Sequence, residues 1–206
     1  MSQFIEAMKF RHACKVFDRE KKIPQEQFDS MLDVVRMSPS SFGMEPWRVL
    51  VIRDENVRKA LKNACWNQSQ ITDCSELVIF TTDNESIKSD SDYVRAMFNR
   101  RGLSSEAVDN YIGVYANFLA NIENDEVLLE NWAAKQCYIA MANMMTYAAT
   151  LSIDSCPIEG FIKDEVEAIL DLEFGISAAV ICAFGYRAGE QTPQLRHNIE
   201  KIVKYI

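Results

Sequence analysis

Two hydrophobic rhythms run through this chain, one with the spacing of a helix and one made of short unbroken apolar runs. Phe28, Met31, Leu32 and Val35 repeat at helical spacing, and Pro24 ahead of them suits a first helical turn. That helix is expected to end near Met37, because Pro39 disfavours helical geometry at Ser38. Upstream, residues 3–9 predict a short helix with Phe4, Ile5 and Met8 on one face, and residues 11–17 read as extended. Residues 38–45 read as a loop, and residues 47–52 are a β-branched apolar run consistent with a buried strand. A helix over 55–65 and a strand over 76–82 follow, then a polar stretch, 83–105, with no legible pattern.

Residues 105–122 predict a helix carrying Tyr111, Tyr115 and Phe118. The segment 126–151 places Leu128, Leu129, Trp132, Ile139, Met141, Met144, Met145 and Leu151 on nearly every helical face, which predicts burial on most sides. A subunit interface provides that burial more readily than a lone chain of this size. A short strand at 153–157, a helix at 163–171 and a strand at 178–186 complete the pattern. The last residues include Ile199, Ile202, Val203, Tyr205 and Ile206, which predict docking on the same or a partner subunit. Helices and strands mix without regular βαβ alternation, so the class is α+β, as one domain over residues 1–206.

Composition narrows the functions. With 22 basic against 30 acidic residues the formal charge is −8, which argues against nucleic acid or an anionic membrane surface as a partner. No run of about 20 apolar residues occurs, and the N-terminus lacks a secretory pattern. The six cysteines are scattered without a CxxC pair, which reads as free thiols in a reducing cytoplasm. Two histidines make a His-based metal site improbable. No GxGxxG, Walker A, GxSxG or HExxH signature is present, so a bound cofactor is expected to supply any difficult chemistry.

Four segments carry candidate chemistry. In an extended segment Arg11, Ala13 and Lys15 share one face, where two cations can grip an anionic ligand, and the same residues read equally as a solvated basic strand. Cys14 then faces the other way, as a buried structural thiol rather than one activated by its basic neighbours. The loop 38–47 offers hydroxyls and backbone groups, or is an ordinary connection. Pro157-Ile158-Glu159-Gly160-Phe161 follows a strand, where Gly160 permits close approach of a flat ring or simply makes a turn. Arg187 and Arg196 default to the surface, and Trp47, Trp66 and Trp132 to core or interface.

In this order the segments resemble the FMN-dependent nitroreductase family over nearly the whole chain. The resemblance rests on RHxxKxFD from Arg11, SPSSxxxxPW from Ser38 to Trp47, Asn67 at a helix end, PIEGF at 157–161 and the basic tail. AKQxY at Ala134 to Tyr138 serves as a register mark on the long helix. It implies a mostly antiparallel sheet flanked by helices, a long helix at a homodimer interface, and a C-terminal segment reaching onto the partner. It also implies FMN in two equivalent interface sites, reduced by NADH or NADPH and reoxidised by nitroaromatics, quinones or similar small molecules in a ping-pong cycle. The alternative is a flavin-binding redox sensor or FMN reservoir with little turnover.

By that resemblance Arg11 holds the phosphate, with His12 and Ala13 beside it, and Lys15 lies at the pyrimidine edge of the flavin. Pro39, Ser40, Ser41 and Gly43 come from the other subunit. Asn67 and Gln70 serve the pyrimidine side, Pro157 and Ile158 lead to Glu159 and Gly160 at the ring, and Arg196 returns near the phosphate. Phe118 stands where the family places an aromatic gate, and no side chain need act as catalytic acid. A lysine near N1 favours the charge that two-electron reduction leaves there. A unit pair at 4 Å is worth about 4 kcal/mol at an effective dielectric of 20, before desolvation.

Ala13, Gln70 and Gln194 stand where a serine and two lysines are common in the family, and Gly43 and Glu45 where Asn and Gln are common. Fewer donors and cations predict looser FMN retention and a lower flavin potential than in nitroaromatic-reducing members. Dialysis followed by potentiometric titration checks this: flavin retained as tightly, at an equal or higher potential, contradicts it.

Overall fold

The computed structural model describes residues 2–206. Its centre is one four-stranded sheet in the order β1-β2-β4-β3, formed by Trp47–Ile52 (β1), Glu76–Asp83 (β2), Asp154–Ile158 (β3) and Ile176–Gly185 (β4). Every pairing is antiparallel, and a bulge interrupts the β2–β4 register between Phe80 and Thr81. Side chains alternate across a pleated strand, and here both faces are apolar. Val78 and Phe80 of β2 and Val180, Cys182 and Phe184 of β4 face one core. Leu77, Ile79, Ile181 and Ala183 face the other. A sheet apolar on both faces must be covered twice, so helices pack on each side.

One cover consists of Gln25–Arg36 (α2) and Glu126–Thr150 (α7), which supply Phe28, Met31, Val35, Cys137, Met141, Met144 and Ala148. The N-terminal helix Gln3–Phe10 (α1) lies against α7. The other cover consists of Glu55–Ala64 (α3), the single turn Gln70–Asp73 (α4) and Lys163–Ile169 (α8), with Leu61, Ala64, Ile71 and Val166 inward. A third core joins Asp92–Asn99 (α5) and Ser105–Leu119 (α6) to the start of α7 through Val94, Phe98, Tyr115, Leu119, Leu129 and Trp132. Side-chain oxygens of Ser91, Ser104 and Asp125 cap α5, α6 and α7 by accepting backbone N–H bonds that helix starts leave unpaired.

The expected helices and strands are present with ends within two or three residues, and α5 and the short α4 add to them. Helix α7 differs from expectation in one respect. It buries a single stripe, including Leu129, Trp132, Ala133, Gln136, Cys137, Ala140, Met141 and Met144, while Leu128, Asn131, Lys135, Ile139 and Ala142 face outward. The apolar residues on its second face therefore have no cover within one chain. The tail behaves likewise. Leu195, Ile199, Ile202 and Tyr205 stay exposed, so no docking on its own chain occurs there. Among the described residues no helix is long and apolar enough to cross a membrane.

Arg58 on α3 shows how tightly the second layer is tied to the sheet. Its guanidinium is buried and donates to the carbonyls of Ile52, Cys74 and Ser75 at 2.7, 2.9 and 3.0 Å. It thereby links the end of β1 to the approach to β2. Arg58→Met leaves three carbonyls without their donors and is expected to lower unfolding free energy by about 3 kcal/mol, read from urea midpoints at unchanged slope.

Candidate functional site

Two of the segments named from the sequence converge on β3 and the helices around it, and a third lies apart from them. The first is the extended arm after α1. Ala13 forms a parallel bridge with Ser155, Cys14 N–H donates to Ser155 O at 3.0 Å, and Phe17 bridges to Arg187. The arm is thus an irregular extra strand beside β3. Its alternation follows the pleat over Ala13, Cys14 and Lys15, with only Cys14 inside, and breaks at the exposed Val16, after which Phe17 turns inward. Lys15 Nζ reaches the buried Cys156 Sγ at 3.8 Å. Arg11 and Lys15 form no ion pair among the described residues, and neither does Arg196.

The arm is held by Arg187, which the sequence alone assigns to the surface. Its guanidinium pairs with the buried carboxylate of Asp154 at 2.6 Å, lies 4.2 Å from the centre of the Phe10 ring and donates to Gln191 Oε1 at 2.7 Å. Its backbone N–H donates to the other Asp154 oxygen at 2.9 Å. His12 Nδ1 stands 3.6 Å from Asp154 Oδ1, and burial together with the Arg187 charge lowers the His12 pKa, against the pull of Asp154. Gln194 adds a second tether. Its amide nitrogen donates to the carbonyls of Met8 and Lys9 at 3.0 and 3.1 Å and also to that of Arg11. The tail carrying Arg196 therefore crosses the end of α1 beside Arg11.

The second segment is the turn after α3. Trp66 and Asn67 both adopt left-handed backbone, with φ of 53° and 56°. The turn is locked to the PIEGF segment, because Gln68 Nε2 donates to Gly160 O at 2.9 Å and Ile162 N–H to Ala64 O at 2.8 Å. A Cβ on Gly160 would sit 2.7 Å from the Trp66 ring, so only glycine permits this approach. Trp66, expected in core or interface, is two-thirds exposed in the single chain. Asn67, Glu159 and Gly160 are thereby brought together, while Gln70 is buried and Ile158 belongs to the core beneath, with Pro157 in β3. Tyr138 Oη donates to Glu159 Oε1 at 2.6 Å, and burial and the carboxylate raise the phenol pKa so that it keeps its proton.

The third segment, residues 38–45, lies elsewhere. Ser41 N–H donates to Gln136 Oε1 at 2.9 Å, and Asn143 Nδ2 donates to Ser38 Oγ at 3.0 Å. Gln136 and Tyr138 are two residues apart on α7, hence about 200° apart around its axis. Pro39, Ser40, Ser41 and Gly43 are consequently fastened to the flank of α7 opposite Glu159 and Gly160. One chain does not assemble the whole set. Phe118 shares the loop's side, with its ring 5.2 Å from Phe42 and 5.8 Å from Trp132. AKQxY, a register mark in the sequence, contains two side chains with separate tasks, Gln136 toward the 38–45 loop and Tyr138 toward Glu159, and their spacing of two residues on a helix is the signal that separates them.

Among the described residues no cluster of three or more His, Cys, Asp or Glu side chains is placed to hold a metal ion.

The Nitroreductase family model matches residues 8–186, and the chain belongs to that family. A Staphylococcus haemolyticus protein provisionally named an NAD(P)H nitroreductase is 40% identical, with 98% of this chain and 96% of that protein covered. A solved Bacillus subtilis structure, of a provisionally named nitroreductase, superposes with a TM-score of 0.87 at 19% identity, covering 99% of both chains. A provisionally named nitroreductase from Exiguobacterium sibiricum, solved in complex with FMN, gives a TM-score of 0.83 at 23% identity over 100% of this chain and 98% of that one.

All six cysteines are free and buried. Burial pushes the Cys14 and Cys65 thiols up to about 11 and those of Cys74 and Cys137 to about 12. The basic neighbours of Cys14 do not activate it. A thiol reagent at pH 8 is expected to label none of the six in native protein and all six in denaturant. Rapid native labelling at Cys14 would contradict this.

Proposed function

We propose that this chain is a cytoplasmic, homodimeric oxidoreductase that uses FMN to pass electrons from NADH or NADPH to flat, electron-poor small molecules such as nitroaromatics or quinones, in a ping-pong cycle. The observation that carries it is the set of cations without acidic partners, Arg11 and Lys15 on one arm and Arg196 on the tail tethered beside it. Buried Ser155 Oγ and His12 Nδ1, neither with a hydrogen-bond partner, lie at the same arm. That donor set suits a phosphate ester joined to a polar ring edge. The names of the relatives and the FMN-bound fold neighbour support the same reading.

Bound FMN supplies the two-electron acceptor and donor. The protein's part is to hold and orient. Arg11 and Arg196 hold the phosphate, Lys15 places positive charge at the pyrimidine edge, and Asn67 hydrogen-bonds that edge. Glu159 and Gly160 lie along the ring, with the Glu159 carboxylate fixed by the Tyr138 phenol. The loop with Pro39, Ser40, Ser41 and Gly43 comes from the second copy, because its own Gln136 anchor turns it away. The uncovered face of α7 and the apolar tail suit that pairing, and six free buried thiols suit a reducing compartment. Donor and acceptor take turns at one cleft because both must reach the same ring face.

Anaerobic addition of NADH or NADPH to the yellow dimer is expected to bleach the flavin absorbance, and a quinone to restore it without nicotinamide present. Yellow protein that neither nicotinamide bleaches would instead indicate a sensor or reservoir. Lys15→Ala is expected to lower the flavin potential and slow bleaching at least tenfold.

A further inference from the structure

We propose that Gln136 of α7 is a positioning residue for the cofactor site of the opposite subunit: it sets where Ser40 and Ser41 stand in a site that its own chain does not otherwise build. The inference rests on the dimeric flavin reading above and assigns that reading a residue outside the site itself.

The Gln136 amide is buried at 6% exposure, and its two ends are used in opposite directions. Nε2 donates to the carbonyl of Trp132 one turn earlier at 3.0 Å, which settles the amide's orientation. Oε1 is left pointing off the helix, where it accepts the Ser41 N–H at 2.9 Å. An apolar residue at this buried position would leave that N–H without its acceptor, a costly state for a backbone donor.

The loop it holds is a strained one. Phe42 and Glu45 both sit in left-handed backbone, with φ of 55° and 46°, a region that side chains other than glycine and asparagine rarely occupy. Such conformations persist where the surroundings over-determine them. Here Arg101 Nη2 donates to Phe42 O at 2.8 Å, Tyr93 Oη to Met44 O at 2.9 Å, and Arg100 pairs with Glu45 at 2.9 Å. Those three contacts brace the C-terminal half of the loop from α5 and the residues following it. Gln136 and Asn143 brace the N-terminal half from α7. Ser40 Oγ is tied within the loop, accepting the Glu45 N–H at 2.9 Å, so Gln136 is the contact that fixes this pair of serines to α7, and losing it frees Ser41 from the helix while the far half of the loop stays clamped.

The test is a mixed dimer. Two differently tagged full-length chains, Gln136→Leu and Arg11→Ala, are co-expressed, purified through both tags, stripped of flavin and titrated with FMN by fluorescence quenching. Each homodimer is expected to bind FMN about tenfold or more weakly than wild type. If Gln136 acts across the interface, the mixed dimer holds one site with both defects and one with neither, so it binds one FMN per dimer at wild-type affinity. If Gln136 acts within its own subunit, no site escapes and no high-affinity binding remains, which overturns the proposal. A Gln136→Leu homodimer that binds two FMN at wild-type affinity also overturns it, while leaving the flavin reading intact. A wild-type protein that binds no FMN at all overturns the flavin reading as well. Should Gln136→Leu not fold, Gln136→Met replaces it: the side chain keeps nearly the same length but offers Ser41 no oxygen acceptor, and the same one-site result is expected.

Discussion

The two-sided burial of a small antiparallel sheet is the constraint on which the remainder depends. Strands β2 and β4 send apolar side chains both ways, so neither face can meet water. Helix α7 must lie across one face, and its position then decides where everything attached to it goes. The stripe through Cys137, Met141, Met144 and Ala148 fixes its rotation against the sheet. With that rotation set, Gln136 and Tyr138 have no freedom about which way they project. One meets the Ser38–Glu45 loop and the other meets Glu159. Packing energy, spent on excluding water from the sheet, thus also sets the geometry of polar groups that contribute little to stability themselves.

The arm at Arg11–Lys15 depends on a second, electrostatic constraint. It carries cations without acidic partners on its outer face, and something must hold such a segment in place. Asp154 and Arg187 do so from beneath, with the carboxylate serving both the guanidinium and a backbone N–H. A buried carboxylate requires such partners, since isolated charge is expensive away from water. Burial, and after it the Arg187 charge, disfavours the imidazolium and lowers the His12 pKa against the opposing pull of Asp154. The positive charge available to an anionic ligand therefore resides on Arg11, Lys15 and Arg196.

Residues that depart from the family pattern have acquired structural uses. Gln194 stands at a tail position where the family resemblance implies a lysine, and its amide tethers the tail to the end of α1. A lysine could donate to the same carbonyls but would add charge beside Arg11. Glu45 adds a negative charge to the loop, and Arg100 neutralises it. Gly43 itself has a φ of 68°, a left-handed backbone that glycine adopts without steric cost. The first two are exchanges between elements far apart in the chain, and neither is legible from one residue alone.

The sequence by itself determined the secondary elements wherever periodicity was strong, as in α2, α7 and the four strands, because side-chain spacing and strand pleat are local properties. It left α5 unread, although Val94, Met97 and Phe98 carry helical spacing, because the polar residues in and around that short two-turn helix diluted the signal. It also named most residues of the candidate site, since motifs preserve chemistry at fixed spacing. Tertiary structure alone decided which of them meet. It drew Asn67 to Gly160 through a left-handed turn, moved Arg187 from the surface to a buried ion pair, and placed Ser40 and Glu159 on opposite flanks of one helix. The physical reason is that spacing along a chain encodes which face a residue takes on its own element, whereas proximity between elements follows from how those faces pack.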